Sequence, residues 1–432
     1  MATLEGVKNK IQRLLDSANA ATGNTFTDLT TAVNVLIAGY ATGGSSEYYR
    51  NVTFMEADNE TVASRVAIAP KYRCDEESRP KPTKESTTDT DFTLAGWSLT
   101  PDGEACDVLD NIVEDVTLYP VFVPSVRYYT IRFFDDEGEL LRTEKWPYGG
   151  SSDYVHKKIG AYFTGWTPEP TNITSDMDCY GTWEYASFAK DSWEQIRENA
   201  SKGVAAEYYS VGDEREITLI YNDGRERDRL ILQVAHIHGS GERELIYSDE
   251  SGSYSGYAGI AIVVKTAPKG SYMAFSTEQF DDSQMVNYTK DGIIGSDIME
   301  YLDEKIFPYL PADMQAVIPY TQKTFSYCPH GTSVMLTRAS RFKLWPLSTA
   351  EVQCTDVRFA GLTDGDILYE LFRGDSDSKR IRTLFDTDEA VPYHLRTSVD
   401  RFDVAAVEES GLVARRSVAL EKAYVVFGFC LG

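Results

Sequence analysis

Two histidines that alternate along an apolar segment are the first residues whose types could do chemistry. His236 and His238 stand two positions apart, so on a strand both side chains face one side and could reach a common metal ion. No third ligand stands at a spacing that marks it. Two solvated histidines on an edge strand explain the pattern better, and the sequence predicts no metal site here.

Other patterns favour catalysis only weakly. Cys328 and His330 could act as nucleophile and base, but Pro329 stiffens the turn between them and no third partner is indicated. Asp375 and Asp377 resemble part of a calcium loop that lacks its glycine and its closing glutamate. The many carboxylates do not exclude a glycosidase pair, although no local motif puts one acid in an apolar pocket. We expect no catalytic residue and no cofactor.

The segment at 251–259 has the composition of an adaptable binding loop, rich in tyrosine, serine and glycine. Tyrosine supplies a broad contact surface at low entropic cost, and the small residues let a loop adjust. An ordinary flexible hairpin tip is the alternative. We predict that Tyr254 and Tyr257 contact a ligand, with Tyr393 and Arg396 as the next candidates.

Two stretches of the chain are versions of one unit. Each opens with an alternating apolar strand, carries a central Gly-Trp pair and closes with a short apolar-aromatic strand. Trp97 and Trp166 belong to these pairs and are predicted to be buried anchors with a structural role. Small β-units in tandem are typical of spacers, because each buries its own modest core and passes the chain onward.

The first forty residues form a separate element. Their apolar residues follow the spacing of a coiled-coil seam, and Asp28 can cap a second helix after the seam is interrupted. The segment either oligomerises and attaches the chain, or folds as a helical hairpin on itself or on the next domain. The predicted oligomerisation residues are Leu4, Val7, Ile11 and Leu14.

The second half of the chain predicts a mixed, mostly antiparallel α+β domain. Asp191 with Glu194 predicts a helix cap, Asp297 predicts another helix start, and segments 216–221 and 230–237 predict paired strands. The predicted fold class of the whole chain is therefore α+β multidomain. Its parts are N-terminal helices at 1–45, small β-repeats at 48–125 and 126–186, and the α+β domain at 187–432.

Composition argues against several partners. The chain has 42 Lys and Arg against 67 Asp and Glu, a net charge of −25, so no basic patch is available for a nucleic-acid backbone. No stretch approaches the roughly 18 apolar residues of a membrane helix, and residues 1–15 lack the apolar core of a secretory signal. The six cysteines include no Cys-x-x-Cys pair. We expect a protein made in the cytoplasm that neither binds nucleic acid nor inserts into a membrane.

Several segments resemble known families. Residues 3–40 resemble the N-terminal segment of many tail-fibre and minor structural proteins of phages and prophages of Clostridia-like bacteria. The Gly-Trp unit resembles the Listeria–Bacteroides repeat of internalin-type surface proteins, which implies a compact β-grasp fold. The second copy follows that family's order, with Tyr148, Gly149 and Gly150 after its first hairpin. The first copy lacks those three residues and carries extra residues before its Gly-Trp.

Residues 191–432 resemble an uncharacterised domain that often ends bacterial surface proteins and phage tail proteins of the same hosts. The family's closing motif, two aromatic residues followed by Leu-Arg-Ser-Pro, corresponds here to Tyr-His-Leu-Arg-Thr-Ser at 393–398. By analogy with other terminal display domains, we expect a C-type-lectin-like fold.

Together these resemblances imply a virion structural protein, a phage tail fibre or receptor-binding protein that recognises the host cell surface non-covalently. Its N-terminal segment would bind other virion proteins and form a homo-oligomer, with a trimer favoured. Its C-terminal domain would bind a host-surface glycan or protein. The alternatives are a head fibre or other capsid decoration protein, a cell-wall glycan hydrolase and a bacterial surface adhesin.

Overall fold

A computed structural model describes residues 12, 13, 16, 49–68, 74–106, 112–221, 223–277, 291–352, 367–374 and 377–432. The chain divides into two units: unit 1 comprises residues 1–156 and 164–182, and unit 2 comprises residues 157–163 and 183–432. The predicted oligomerisation residues Leu4, Val7, Ile11 and Leu14 lie outside the described residues.

The fold is mostly β, so the predicted α+β class with N-terminal helices is wrong. Strands make up 41% of the structure and helices 13%, and the strands form six small sheets. The cap signals in the second half do start helices, but among the described residues the longest α-helix has nine residues. Helices this short bury little surface, so sheets build most of the core.

The two Gly-Trp repeats form sheets of one topology. In each, the order of strands is second, first, fourth, third, and the first strand pairs antiparallel with the second and parallel with the fourth. The strands are β1 (Arg50–Met55), β2 (Val62–Ile68), β3 (Thr90–Ser98) and β4 (Val116–Val126) in the first repeat, and β5 (Tyr128–Phe134), β6 (Leu140–Pro147), β7 (Ala161–Thr167) and β8 (Met177–Tyr185) in the second.

Each repeat core is centred on a phenylalanine and a tryptophan from equivalent strands. Phe54 on β1 packs against Trp97 on β3 with ring centroids 4.6 Å apart, and Phe133 on β5 packs against Trp166 on β7 at 4.8 Å. Both tryptophans are buried, with 4% and 6% of their surface exposed. The indole N–H of Trp166 also donates to the carbonyl of Tyr154 (2.6 Å), which satisfies its one polar group.

The α-helices whose bounds are described lie in unit 2, and all of them are short. Ser192 caps the first, since its hydroxyl accepts from the Gln195 N–H (3.1 Å); the predicted cap, Asp191, instead accepts from the hydroxyls of Tyr162 and Tyr209. No described helix is long and apolar enough to cross a membrane. The helices are α1 (Trp193–Ser201), α2 (Ala205–Tyr208), α3 (Asp297–Tyr301) and α4 (Ala312–Val317), with a π-helical turn at Leu302–Ile306 and 3₁₀ turns at Phe307–Tyr309, Glu370–Phe372 and Asp377–Arg380, plus Glu76–Ser78 in the first repeat.

An antiparallel five-stranded sheet lies at the centre of unit 2. Its strands are β9 (Glu214–Ile220), β10 (Glu226–Ile237), β13 (Ile260–Val264), β17 (Trp345–Pro346) and β24 (Phe427–Leu431), in the order β17-β24-β13-β10-β9. Every residue of β13 and β24 is buried, which explains their continuous apolar sequences. The predicted pairing of segments 216–221 and 230–237 is present as the β9–β10 hairpin.

Three smaller sheets complete unit 2. One, which we name the platform sheet, has the order β12-β11-β15-β16, with β11 (Leu245–Tyr247), β12 (Tyr254–Tyr257), β15 (Tyr320–Tyr327) and β16 (Leu336–Phe342). The second contains β14 (Thr266–Ala267), β18 (Arg382–Leu384) and β19 (Ala390–Val391). The third contains β20 (Tyr393–Ser398), β21 (Asp403–Val407), β22 (Val413–Ser417) and β23 (Tyr424–Val425).

Candidate functional site

Tyr254 and Tyr257 lie on β12, the edge strand of the platform sheet, and both are exposed, at 53% and 42%. Their spacing of three would put them on opposite faces of a regular strand. On β11, however, Tyr254 pairs with Tyr247 and Tyr257 with Leu245, so one extra residue on β12 forms a bulge. The bulge brings both tyrosines to one face, with ring centroids 5.7 Å apart.

A third ring extends the pair into what we name the tyrosine row: Tyr247, Tyr254 and Tyr257. The Tyr247 ring lies 6.2 Å from that of Tyr254, and its hydroxyl donates to Gln322 Oε1 (3.0 Å). Arginine side chains cover both ends. The guanidinium of Arg341 lies 3.7 Å from the ring centroid of Tyr247, and that of Arg243 lies 5.6 Å from that of Tyr257.

The turn that joins β11 to β12 is held by side chains. Asp249 Oδ1 accepts from the Gly252 N–H (2.6 Å) and from the Ser251 hydroxyl (2.9 Å), and these hydrogen bonds, led by that of Ser251, lower the pKa of Asp249. Arg341 Nη1 donates to the carbonyl of Glu250 (3.0 Å). The segment at 251–259, whose composition predicted an adaptable loop, is therefore held at both ends by hydrogen bonds. The tyrosine row is thus formed without a ligand.

Sequence reasoning identified two members of this surface and missed three. Tyr247 ends the three-residue strand β11, whose sequence Leu-Ile-Tyr has no alternation, so no pattern marked it. Nor could Arg341 be found from a pattern, because it reaches the row only through the pairing of β15 with β16, in which Gln322 stands opposite Arg341. Arg243 lies close to the row in sequence but carries no pattern of its own.

The tyrosine row can bind a ligand without changing it. Its rings offer apolar faces on which the faces of sugar rings or other side chains can pack, and its hydroxyl and guanidinium groups add directional hydrogen bonds. The Tyr254 hydroxyl is protonated at neutral pH, as tyrosine ordinarily is, and can donate; a hydrogen bond with Tyr257 raises its pKa further. No group in the row is arranged as a base or a nucleophile.

The other two predicted ligand residues, Tyr393 and Arg396, lie inside unit 2. Both are fully buried on β20, whose six residues are all inaccessible to solvent. The Tyr393 hydroxyl donates to the carbonyl of Arg380 (2.9 Å), and Arg396 Nε donates to that of Thr324 (3.0 Å). In this structure neither side chain reaches a ligand at the surface, because the polar groups of both form hydrogen bonds within the protein interior.

Arg396 belongs to a buried group of charges that we name the ion cluster: Glu244, Lys323, Glu351 and Arg396. Lys323 Nζ donates to Glu244 Oε1, to Glu351 Oε1 (2.6 Å) and to the Tyr369 hydroxyl (2.8 Å). Arg396 Nη1 donates to Glu351 Oε2 (2.6 Å). The two carboxylates and the two cationic groups carry equal and opposite charge, which offsets the free-energy cost of burying the four groups together.

The electrostatics keep the ion cluster ionised and its neutral neighbours neutral. Burial by itself would raise the pKa of Glu244, but the charge of Lys323 and contacts with His238 outweigh it and hold that pKa well below its usual range. For Glu351 the charges of Arg396 and Lys323 do the same. Burial raises the pKa of Tyr369 far above its ordinary value. The carboxylates of the cluster thus lack the raised pKa of a general acid.

The two alternating histidines are buried, so the prediction of a solvated edge strand is wrong. β10 lies between β13 and β9, and the two imidazoles are 4.8 Å apart. His236 Nε2 contacts Glu242 Oε2 (2.9 Å), and His238 Nε2 contacts Glu244 Oε2 (3.0 Å). Within the described ranges, no group of three or more His, Cys, Asp or Glu side chains could hold a metal ion.

Of the two remaining sequence patterns, the Cys-Pro-His turn lies within the described residues and the aspartate pair lies partly outside them. The buried Cys328 thiol donates to the carbonyl of Thr332 (3.3 Å), which closes a turn. Asp375 lies outside the described residues, whereas the Asp377 carboxylate accepts from Arg380 Nη2.

A family described as Domain of unknown function (DUF6273) matches residues 273–429. The match covers less than half of the chain and lies within the range that resembles an uncharacterised terminal domain. It contains Lys323, Glu351 and Arg396 and begins after Tyr254 and Tyr257. No curated protein matches the chain. The family description names no activity, so function rests on the geometry of the described residues.

Proposed function

We propose that this protein is a virion receptor-binding protein of the phage tail-fibre type, which recognises the host cell surface through the tyrosine row and performs no chemistry. The observation that carries the proposal is the preformed tyrosine row, in which the exposed rings of Tyr254 and Tyr257 stand beside the buried ring of Tyr247, with a guanidinium group at each end. Exposed aromatic residues with arginine are the usual anchors of recognition surfaces.

The remaining parts of the chain support the same proposal. Two repeats of one topology lie between residues 50 and 185, and small β-units in tandem are typical of spacers. The resemblance of residues 3–40 to phage structural proteins supports attachment to a virion. The Asp249 carboxylate serves the turn, since it accepts from the Gly252 N–H and the Ser251 hydroxyl, and the backbone carbonyl of Glu250 accepts from Arg341. The favoured ligand is a cell-wall glycan or a surface protein of a Gram-positive host.

Binding of the full-length protein to intact Clostridia-type cells and to their insoluble walls tests the proposal. We expect Tyr254→Ala with Tyr257→Ala to weaken binding roughly 30-fold or more, since one aromatic hot spot contributes about 2 kcal/mol. Tyr272→Ala is the matched control, because Tyr272 is also exposed (51%) and pairs with another ring, that of Tyr424 (5.2 Å), in the same unit. That variant should bind like wild type.

Two results would contradict the proposal in different ways. Wild-type binding retained by the double variant would remove the tyrosine row as the site. Sustained release of soluble sugars or peptides from the walls by the wild-type protein would replace recognition with hydrolysis.

A further inference from the structure

A cavity of about 530 Å³ in unit 2 has walls that differ from the tyrosine row in chemistry and in residues. Its volume is typical of small-molecule sites. The polar lining includes Lys265, Lys379 and Arg382 against one carboxylate, that of Glu370, and Leu371 adds an apolar wall. In a chain with a net charge of −25, three cations around one cavity are a local exception.

Arg382 is the unusual member of this lining. Its side chain is buried, with 2% of the residue exposed, and Nη1 donates to the carbonyls of Ile381 (2.8 Å) and Lys379 (3.3 Å). The Phe372 ring lies 5.0 Å from the guanidinium carbon. Nε and Nη2, which together form one edge of the planar fork, have no hydrogen-bond partner and are shielded from solvent.

Among the described residues, two other buried arginines of unit 2 each donate to a carboxylate, which Arg382 does not. Arg380 Nη2 donates to Asp377, and Arg396 Nη1 donates to Glu351. The carboxylate of Glu214 has a Coulombic interaction with Arg382 but no hydrogen bond with it. Its Oε1 accepts from Lys265 Nζ instead (2.7 Å). A buried guanidinium with two unpaired donors is destabilising, so an acceptor is expected for that edge.

We propose that the cavity is a binding site for a small carboxylate, which Arg382 holds through Nε and Nη2. Two parallel donors on one rigid edge match the two oxygens of a carboxylate. The carboxylate of Glu370 disfavours a doubly charged group such as phosphate. Gln233 and Ser378 supply further hydrogen-bonding groups, and Leu371 suits the carbon skeleton of a sugar acid or a short organic acid.

The scaffold fixes the backbone on which Arg382 stands. β18 pairs with β14 and β19, and the buried Tyr393 hydroxyl holds the carbonyl of Arg380 two residues earlier. Because Nε and Nη2 are shielded from solvent, binding requires a side-chain rotation at the wall, a common change at binding sites.

Calorimetry and thermal unfolding of the full-length protein test the site, with glucuronate, acetate and phosphate as anions and glucose and acetamide as neutral counterparts, at constant ionic strength. We expect saturable binding of the two carboxylates, weaker binding of phosphate and none of the neutral compounds. Arg382→Met should weaken carboxylate binding roughly 100-fold, the loss of two charged hydrogen bonds. Its melting temperature without ligand should equal or exceed that of wild type, because an unpaired buried charge is gone. Lys305→Met, on an exposed lysine, is the control.

Several outcomes would overturn the proposal. Wild type that binds neither carboxylate, or binds glucose as well as glucuronate, has no such site. Carboxylate affinity unchanged in Arg382→Met would exclude Arg382 as the receptor group, and a lower ligand-free melting temperature would show that its charge is already satisfied. If Arg382→Met does not fold, Arg382→Lys replaces it: this variant keeps the charge without the fork, and binding weakened less than tenfold contradicts the bidentate geometry.

Discussion

The two faces of the platform sheet make opposite use of polar and aromatic residues. On the outer face Tyr247 and Gln322 contact each other beside the exposed tyrosines, whereas on the inner face Lys323 is fully buried in the ion cluster. Gln322 and Lys323 are neighbours in sequence, and a strand sends neighbours to opposite faces. The face on which a residue stands, rather than its type, therefore decides whether it lies near solvent or holds the interior together.

The largest expected effect comes from removing charge on the inner face. Lys323→Met leaves Glu244 without its ammonium partner and Glu351 with only Arg396, and breaking a buried pair typically costs about 3–5 kcal/mol. We expect a fall of that size in the free energy of unfolding of unit 2, measured by urea denaturation of the full-length protein and followed by tryptophan fluorescence.

A second substitution sharpens that result. Lys323→Met with Glu244→Gln should be less destabilised than the sum of the two single variants, because the uncompensated carboxylate is also removed. Lys305→Met should change stability by no more than about 0.5 kcal/mol. A loss below about 1 kcal/mol in Lys323→Met would mean that the ion cluster is not charged in the folded state.

The charges of the ion cluster are buried as pairs, and His394 tests by pH how the interior treats a group that has no acidic partner in contact among the described residues. Burial lowers the pKa of His394 from 6.5 to about 4, and its Nε2 contacts the carbonyl of Met273 (3.0 Å). Between pH 6.5 and about 4 the unfolded chain binds a proton that the folded chain does not, so stability falls as the pH falls. The full shift corresponds to about 3 kcal/mol.

Urea denaturation across pH 5 to 7 measures this effect before the carboxylates of the ion cluster begin to protonate. His394→Gln, which keeps a donor for the Met273 carbonyl, should have a flatter stability profile than wild type. The exposed His330→Gln should keep the wild-type slope. Equal slopes in all three proteins would show that His394 is not held neutral.

The smallest effect on stability is expected on the outer face. Tyr254→Ala with Tyr257→Ala removes two rings that pack on the surface, and each change should alter the free energy of unfolding by about 0.5 kcal/mol or less. Thermal unfolding of the full-length variant checks this. A loss comparable to that of Lys323→Met would mean that the tyrosine row is part of the core, and the contrast between the two faces would disappear.

Local patterns predicted the parts of the fold that depend on local interactions. The Gly-Trp units marked two sheets of one topology, and the alternation at 216–221 and 230–237 marked the β9–β10 hairpin. Tyr254 and Tyr257 were recognised from composition alone. The predicted α+β class was wrong because a capping signal indicates where a helix begins but not how long it is. The helices are short, and sheets form most of the structure around them.

The sequence by itself determined the opening, Gly-Trp and closing strands of each repeat, the β9–β10 hairpin, the tryptophans that anchor the repeats and the segment that carries Tyr254 and Tyr257. Only the tertiary structure decided that β20 is buried with its polar side chains, that Lys323 joins Glu244 and Glu351, and that Arg382 lines a cavity without an acid of its own. The physical reason is distance along the chain. The charge of Lys323 is balanced by Glu244 and Glu351, which lie 79 and 28 residues away, beyond the reach of any local pattern.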